Sequence, residues 1–322
     1  MRFIFLIAAW LISLSPVTGK TITVNKTGPH KTIAKALQLA ESGDRIVVKK
    51  GTYYENTLMI NSPVTILTTE GAIIDGGGEA KDILIVRADD VHISGFSLIN
   101  VGVSFLEEAA AIRLVHCKNA VIEDNRIDSC FFGIYVEYGK YAKIRNNTIR
   151  GSFTDEASAG NAIHAWKGEK LTITDNLTTG HRDGIYFEFV NNSRISNNIS
   201  QFNLRYGLHF MFSNDDVYEH NLFKDNGAGV AVMFSRNITM KSNRFIHNWG
   251  GAAYGLLLKE ISDGSIEGNK FIQNTIAILA EGANRLKMSE NVFKLNGTAM
   301  DIKGNCMDNV IKRNNFIANT FE

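Results

Sequence analysis

His209, Met211 and Met233 are residues of this 322-residue chain whose types and spacing could do chemistry. Two thioethers and an imidazole within reach of one point are donors that a soft cation such as Cu(I) prefers. Met211 and Met233 lie 22 residues apart, and His209 precedes Met211 by two. His164 and Glu188 stand at related positions as supporting or alternative contacts, while Trp166 and Tyr186 would shield an ion or anchor a partner. A second explanation stays open, because exposed Met and aromatic side chains also form adaptable docking surfaces for other proteins.

Whether these residues meet depends on a repeat. The phrase I-x-x-N-x-(apolar) recurs at Asn125, Asn147, Asn176, Asn198, Asn221, Asn243, Asn269, Asn291 and Asn314. Spacings are 22 or 23 residues except for one of 29 and one of 26. A second phrase, a small residue followed by apolar-x-apolar, keeps step at Gly133, Ala162, Gly184, Gly207, Gly229, Gly255, Ala277 and Ala299. Both phrases stretch at the same two places, so FTDEASAG and NWGGAAY read as insertions in loops of a fixed coil. A period near 22 is too short for helical hairpins and lacks the signature of leucine-rich repeats. Period-2 alternation between turn residues gives several short strands per coil. Stacked coils then pair strands in parallel about 4.8 Å apart and align Asn side chains into ladders. The expected fold is all-β, a parallel β-helix with coils of about 22 residues.

Within the second phrase the first and third following residues are apolar and must face inward, so the second and fourth face outward. One outward column reads Tyr135, His164, Tyr186, His209, Ala231, Leu257, Leu279, Asp301. The other reads Glu137, Trp166, Glu188, Met211, Met233, Lys259, Glu281, Lys303. Stacking would place the Met and His residues on one wall, with the two methionines a rung apart.

Enzyme chemistry needs paired carboxylates, or a carboxylate with a base, on one groove. Glu137 and Glu188 share a column two rungs apart, roughly 9.6 Å by strand spacing, but Trp166 stands between them where a water should be. Asp183, Asp215 and Asp216 with Arg182 and Arg205 form another cluster, read here as turn chemistry and charge pairing.

Composition narrows the classes further. With 34 Lys+Arg against 33 Asp+Glu the chain lacks the basic surplus of a nucleic-acid binder. An apolar fraction of 44% excludes global disorder. The 31 Asn beside 3 Pro point to turns that use left-handed backbone conformations. Arg2 followed by the apolar run from Phe3 to Leu14 suits a secretory signal over residues 1–19, and with it export, an uncleaved anchor being the alternative. Residues 20–322 then form a single domain. Its first part, 20–60, holds a cap and the first coil, with a short helix in KTIAKALQLAESGD, through Ile33, Ala36, Leu37 and Ala40, ending at Gly43. At the other end NNFIANTFE stops in mid-coil, which predicts an exposed stack edge. Cys117, Cys130 and Cys306 are too few for a disulfide scaffold, and free thiols are expected. Cys130 falls in the turn position that Asn226, Asn274 and Asn296 take in other coils.

HRDGIYFEF, NLRYGLHFMFSNDD, DNGAGVAVMFSRNITMKSNRF and NWGGAAYGLLLKEISDGSIEGN closely resemble the NosD family, densely over His181 to Asn269. These are periplasmic accessory proteins for the maturation of nitrous oxide reductase. The segments AESGDRIVVKKGTYYE and AIIDGGG are shared more broadly among carbohydrate-binding and sugar-hydrolase β-helices. The resemblance implies a right-handed β-helix and a role in assembling a copper-sulfur cluster. It also implies three partners: an ABC transporter with membrane and ATPase subunits, a copper-chaperone lipoprotein, and the apo nitrous oxide reductase. It carries a copper-binding label without a ligand set, and no catalysis. The Asp-Pro-His motif of alginate-type epimerases is absent, since Pro16, Pro29 and Pro63 are the prolines and none has that context. A β-helical polysaccharide lyase, epimerase or hydrolase is the competing class, and a metal-free docking adaptor a third.

Overall fold

The computed structural model describes residues 19–104, 107–152, 155–250 and 253–322. Apart from Gly19, the secretory-signal segment lies outside the described residues. Among them the chain winds into a parallel β-solenoid of about 13 turns. Three sheets of 13, 11 and 12 strands run its length, and every named strand pairing is parallel. Complete coils give one short strand to each sheet, so the described residues are all-β with one helix.

Two ladders built from one residue type explain the constancy of the coil. Asn125, Asn147, Asn176, Asn198, Asn221, Asn243, Asn269 and Asn291 are buried at one corner. The Asn198 amide donates to Asn221 Oδ1 at 3.0 Å and Asn221 donates likewise to Asn243, while Asn221 Nδ2 also reaches the Ile195 carbonyl at 2.9 Å. A second ladder, Asn203, Asn226, Asn248, Asn274 and Asn296, does the same at another corner. Buried Cys130 is paired with Val101 at the end of its strand, and all three cysteines are free. Burial pushes the Cys130 thiol up to about 12, so it remains protonated.

The residue just before each Asn of the first ladder takes the left-handed conformation, as at Asn146, Asp175, Asn197, His220 and Ser242. The Asn abundance thus serves mainly the buried ladders, and the left-handed positions accept mixed residues. Inside, Phe223, Phe245, Phe271, Phe293 and Phe316 continue the repeat as a ring stack with centroids 4.5–5.4 Å apart.

The N-terminal cap is a helix over Ile33–Leu39, with Ile33 and Ala36 buried. Thr32 caps it by accepting from Lys35 N, and the Glu55 carboxylate accepts from the backbone N–H groups of Ile33 and Ala34 at 2.9 and 2.8 Å. It stops short of Gly43 because Asp44 accepts from Glu41 N and Lys20 N, drawing residues 41–44 into a turn. The two insertions lie at the same corner, between the third and second sheets. One precedes the strand Ile163–Trp166 and the other Tyr254–Lys259.

Candidate functional site

The solenoid register sets the candidate residues side by side as the repeat requires. Along the second sheet Tyr135 pairs with His164, His164 with Tyr186, Tyr186 with His209 and His209 with Ala231. In the neighbouring column Glu137, Trp166, Glu188, Met211, Met233 and Lys259 are successive partners. Met211 and Met233 are therefore one rung apart, about 4.8 Å at the backbone.

The two columns differ in exposure, which alternation alone did not reveal. Both point away from the core, yet Tyr135, His164 and His209 are buried at 6%, 8% and 6% exposure. A third outward column at the corner closes over them. Phe132 lies edge-on to His164 with centroids 5.0 Å apart, and Tyr206 sits 4.8 Å from His209. Just after the first insertion Asn161 bonds His164 Nδ1 at 3.0 Å. Burial, then the nearby Arg182 guanidinium, lowers the His164 pKa to about 3, so this imidazole is neutral at physiological pH. Trp166, Glu188, Met211 and Met233 stay half-exposed.

Tyr186 joins the columns. Its ring packs edge-on to His209 at 5.0 Å, and its hydroxyl lies 3.7 Å from Met211 Sδ and 3.5 Å from Glu188 Oε2. Met211, Met233, His209, Tyr186 and Glu188 thus form one neighbourhood. His164 is three rungs from Met233, roughly 14 Å along the axis, and Trp166 is turned towards Tyr138 and Lys167. Among the described residues no three His, Cys, Asp or Glu side chains converge to hold a metal ion. An ion here would therefore need the thioethers. The donor types fit such an ion: two half-exposed methionines are adjacent in one column, and His209, in the neighbouring column two residues from Met211, has both ring nitrogens buried without a hydrogen-bond partner.

The acidic candidates separate. Asp215 occupies a left-handed turn and accepts from Asn237, and Asp216 lies buried beside it, accepting from Ser193 N at 2.7 Å. Asp183 is elsewhere, wholly buried in the corner column beside His209 and bound by Arg205 through two contacts of 2.9 and 2.5 Å. Its carboxylate lies 3.7 Å from His209 Nδ1. Burial pushes the Asp183 pKa up, but His209 and Arg205 outweigh it and hold the group below its ordinary value. Charge pairing was read from the sequence, whereas the approach to His209 was not. The available signal was a charge in the column that holds Phe132, Tyr206 and Ala228 in other coils.

The fold and this sheet face define a class, the long parallel β-helices. Solved relatives in shape include the Dettilon tailspike protein, 14% identical, TM-score 0.70, covering 92% of this chain and 68% of that one. The Azotobacter vinelandii mannuronan C-5 epimerase AlgE4 A-module is 12% identical with TM-score 0.61, covering 87% of this chain and 93% of that one. A Yersinia enterocolitica family 28 exopolygalacturonase is 9% identical with TM-score 0.64, covering 93% and 78%. At such identities the likeness is one of fold. No curated protein matches the sequence. The chain belongs to the NosD family: the family model described as periplasmic copper-binding protein (NosD) matches residues 151–322, more than half of it. A model described as a protein of unknown function (DUF1565) matches residues 17–221. Among the described residues no helix is long and apolar enough to cross a membrane.

Proposed function

We propose that this chain is a periplasmic maturation factor that takes part in copper delivery to nitrous oxide reductase, for its copper-sulfur cluster, without chemistry of its own. The supporting observation is the pairing of Met211 with Met233 beside His209, in a chain of a family described as copper-binding. Copper is the cargo, held as Cu(I) by the two thioethers and the His209 imidazole, with Glu188 at the rim. His164, more distant, supplies an alternative contact. A hand-over site must release its ion, and half-exposed sulfurs allow a receiving protein to approach. Trp166 and Tyr186 belong to the docking face. The partners we assign are the membrane and ATPase subunits of an ABC transporter, a copper-chaperone lipoprotein, and the apo-reductase.

The competing reading is a β-helical polysaccharide lyase, epimerase or hydrolase, a class that includes the similarly folded mannuronan C-5 epimerase and exopolygalacturonase. Against it, Trp166 fills the rung between Glu137 and Glu188. A competitive Cu(I) titration of the exported protein and of the Met211→Ala/Met233→Ala variant tests the proposal. We expect one tightly competing equivalent in the parent and its loss in the variant. Equal stoichiometry in both would refute the site, and turnover of an acidic polysaccharide would replace the reading.

A further inference from the structure

We infer that Asp183, locked by Arg205, is a positioning residue that fixes the His209 ring so that Nε2 is free to take a soft cation. The inference rests on the copper reading above and adds to it a residue from outside the Met/His columns.

Asp183 Oδ1 accepts from Arg205 Nε at 2.9 Å and from Tyr206 N at 3.2 Å. Asp183 Oδ2 accepts from Arg205 Nη2 at 2.5 Å and faces His209 Nδ1 at 3.7 Å. Three donors thus hold the carboxylate while one side remains turned to the imidazole. The ring itself is clamped between Tyr186 and Tyr206, with centroids at 5.0 and 4.8 Å.

The fold does not demand a charge here. The corresponding residues of other coils are Ala110, Phe132, Ala228 and Ile276. A buried ion pair is a poor stabiliser compared with apolar packing of similar volume. What the pair does supply is orientation. A carboxylate facing Nδ1 favours the tautomer with the proton on that nitrogen, which leaves the Nε2 lone pair unprotonated. Both ring nitrogens are buried without a hydrogen-bond partner, so the Asp183 carboxylate 3.7 Å away acts on Nδ1 through its charge. Second-shell carboxylates of this kind orient histidine ligands and raise their basicity.

The test pairs a spectroscopic signature with binding. Long-range ¹H–¹⁵N spectra report which His209 nitrogen carries the proton, and competitive titration reports Cu(I) affinity. The parent should show the Nδ1–H form. Asp183→Asn should shift the ring towards the Nε2–H form and weaken Cu(I) binding by about 10–100-fold at unchanged stoichiometry. Met211→Ala/Met233→Ala should lose the ion with the tautomer unchanged, separating positioning from ligation. Should Asp183→Asn fail to fold, Asp183→Ala/Arg205→Met removes both charges at once and is read in the same way. If the parent binds Cu(I) and the Asp183 variant keeps both tautomer and affinity, this inference falls and the copper site stands. If the parent binds no Cu(I), both fall.

Discussion

At Asp216 a carboxyl is fully buried in a column that other coils fill with Ala142, Leu171, Ile238 and Leu286. Its partners are the Ser193 N–H at 2.7 Å and the buried Tyr218 hydroxyl at 3.4 Å. Burial dominates and pushes its pKa up to about 8, so the folded protein holds this proton while the unfolded chain releases it near pH 4. A raised folded-state pKa contributes stability that is complete below the unfolded value and lost as pH rises to about 8. Asp216→Asn, which retains an acceptor for Ser193 N, should remove that contribution. Thermal midpoints of parent and variant should nearly coincide below about pH 4 and diverge upward to pH 8, with the variant the more stable at high pH. Parallel profiles would show that Asp216 does not titrate in this window. Both Asp216 and Asp183 are conspicuous in sequence only once their columns are written out. Even then, which neighbours a buried carboxylate chooses is decided by side-chain packing that a repeat does not encode.

Strands and corners were the more legible level, because a solenoid places equal residues at equal points. The Asn positions, the inward Ile/Val/Phe residues and both insertions follow from spacing alone, and their register is what the structure has. The exposure of the outward columns did not follow, since it depends on Phe132, Asn161 and Tyr206 folding across the face from the corner. An element-scale consequence concerns the ladder. Asn221→Ala would leave Asn198 N, which donates to Asn221 Oδ1 at 2.9 Å, unsatisfied inside the protein, and would take from the Ile195 carbonyl the second donor it has beside its sheet bond. A buried orphan costs about 1–3 kcal/mol, so the variant should be destabilised by at least that much. Asn237→Gly, at an exposed left-handed turn with φ +54°, should change stability by well under about 1 kcal/mol. Denaturant unfolding of the two variants side by side checks this. Comparable losses would mean that the ladder contributes no more than an ordinary surface turn.

Over the whole molecule each coil touches only its neighbours, so stability is nearly a sum of coil and interface contributions. Complete coils can then be added in phase without disturbing distant ones. This property separates rung distance from residue identity. The 22-residue segment Ile266–Lys287 spans one full turn, because Ile266 pairs with Met240 before it and Met288 after it. Placing a copy between Val217 and Tyr218 continues the phase, since Tyr218 pairs with Met240. The inserted coil puts the counterpart of Glu281 between Met211 and Met233, which separates them by two rungs, about 9.6 Å instead of about 4.8 Å. One ion cannot be shared by thioethers anchored that far apart unless the strands themselves shift. A second construction repeats the same segment in tandem between Ser265 and Ile266 and leaves the methionine pair adjacent. Both proteins should give parent-like circular dichroism. Only the first should fall to the Cu(I) affinity of the double-alanine variant, while the tandem copy should bind like the parent. If the spaced protein binds Cu(I) as tightly as the tandem one, the ion does not depend on adjacency of the two methionines. Its ligands must then be sought on another part of the wall.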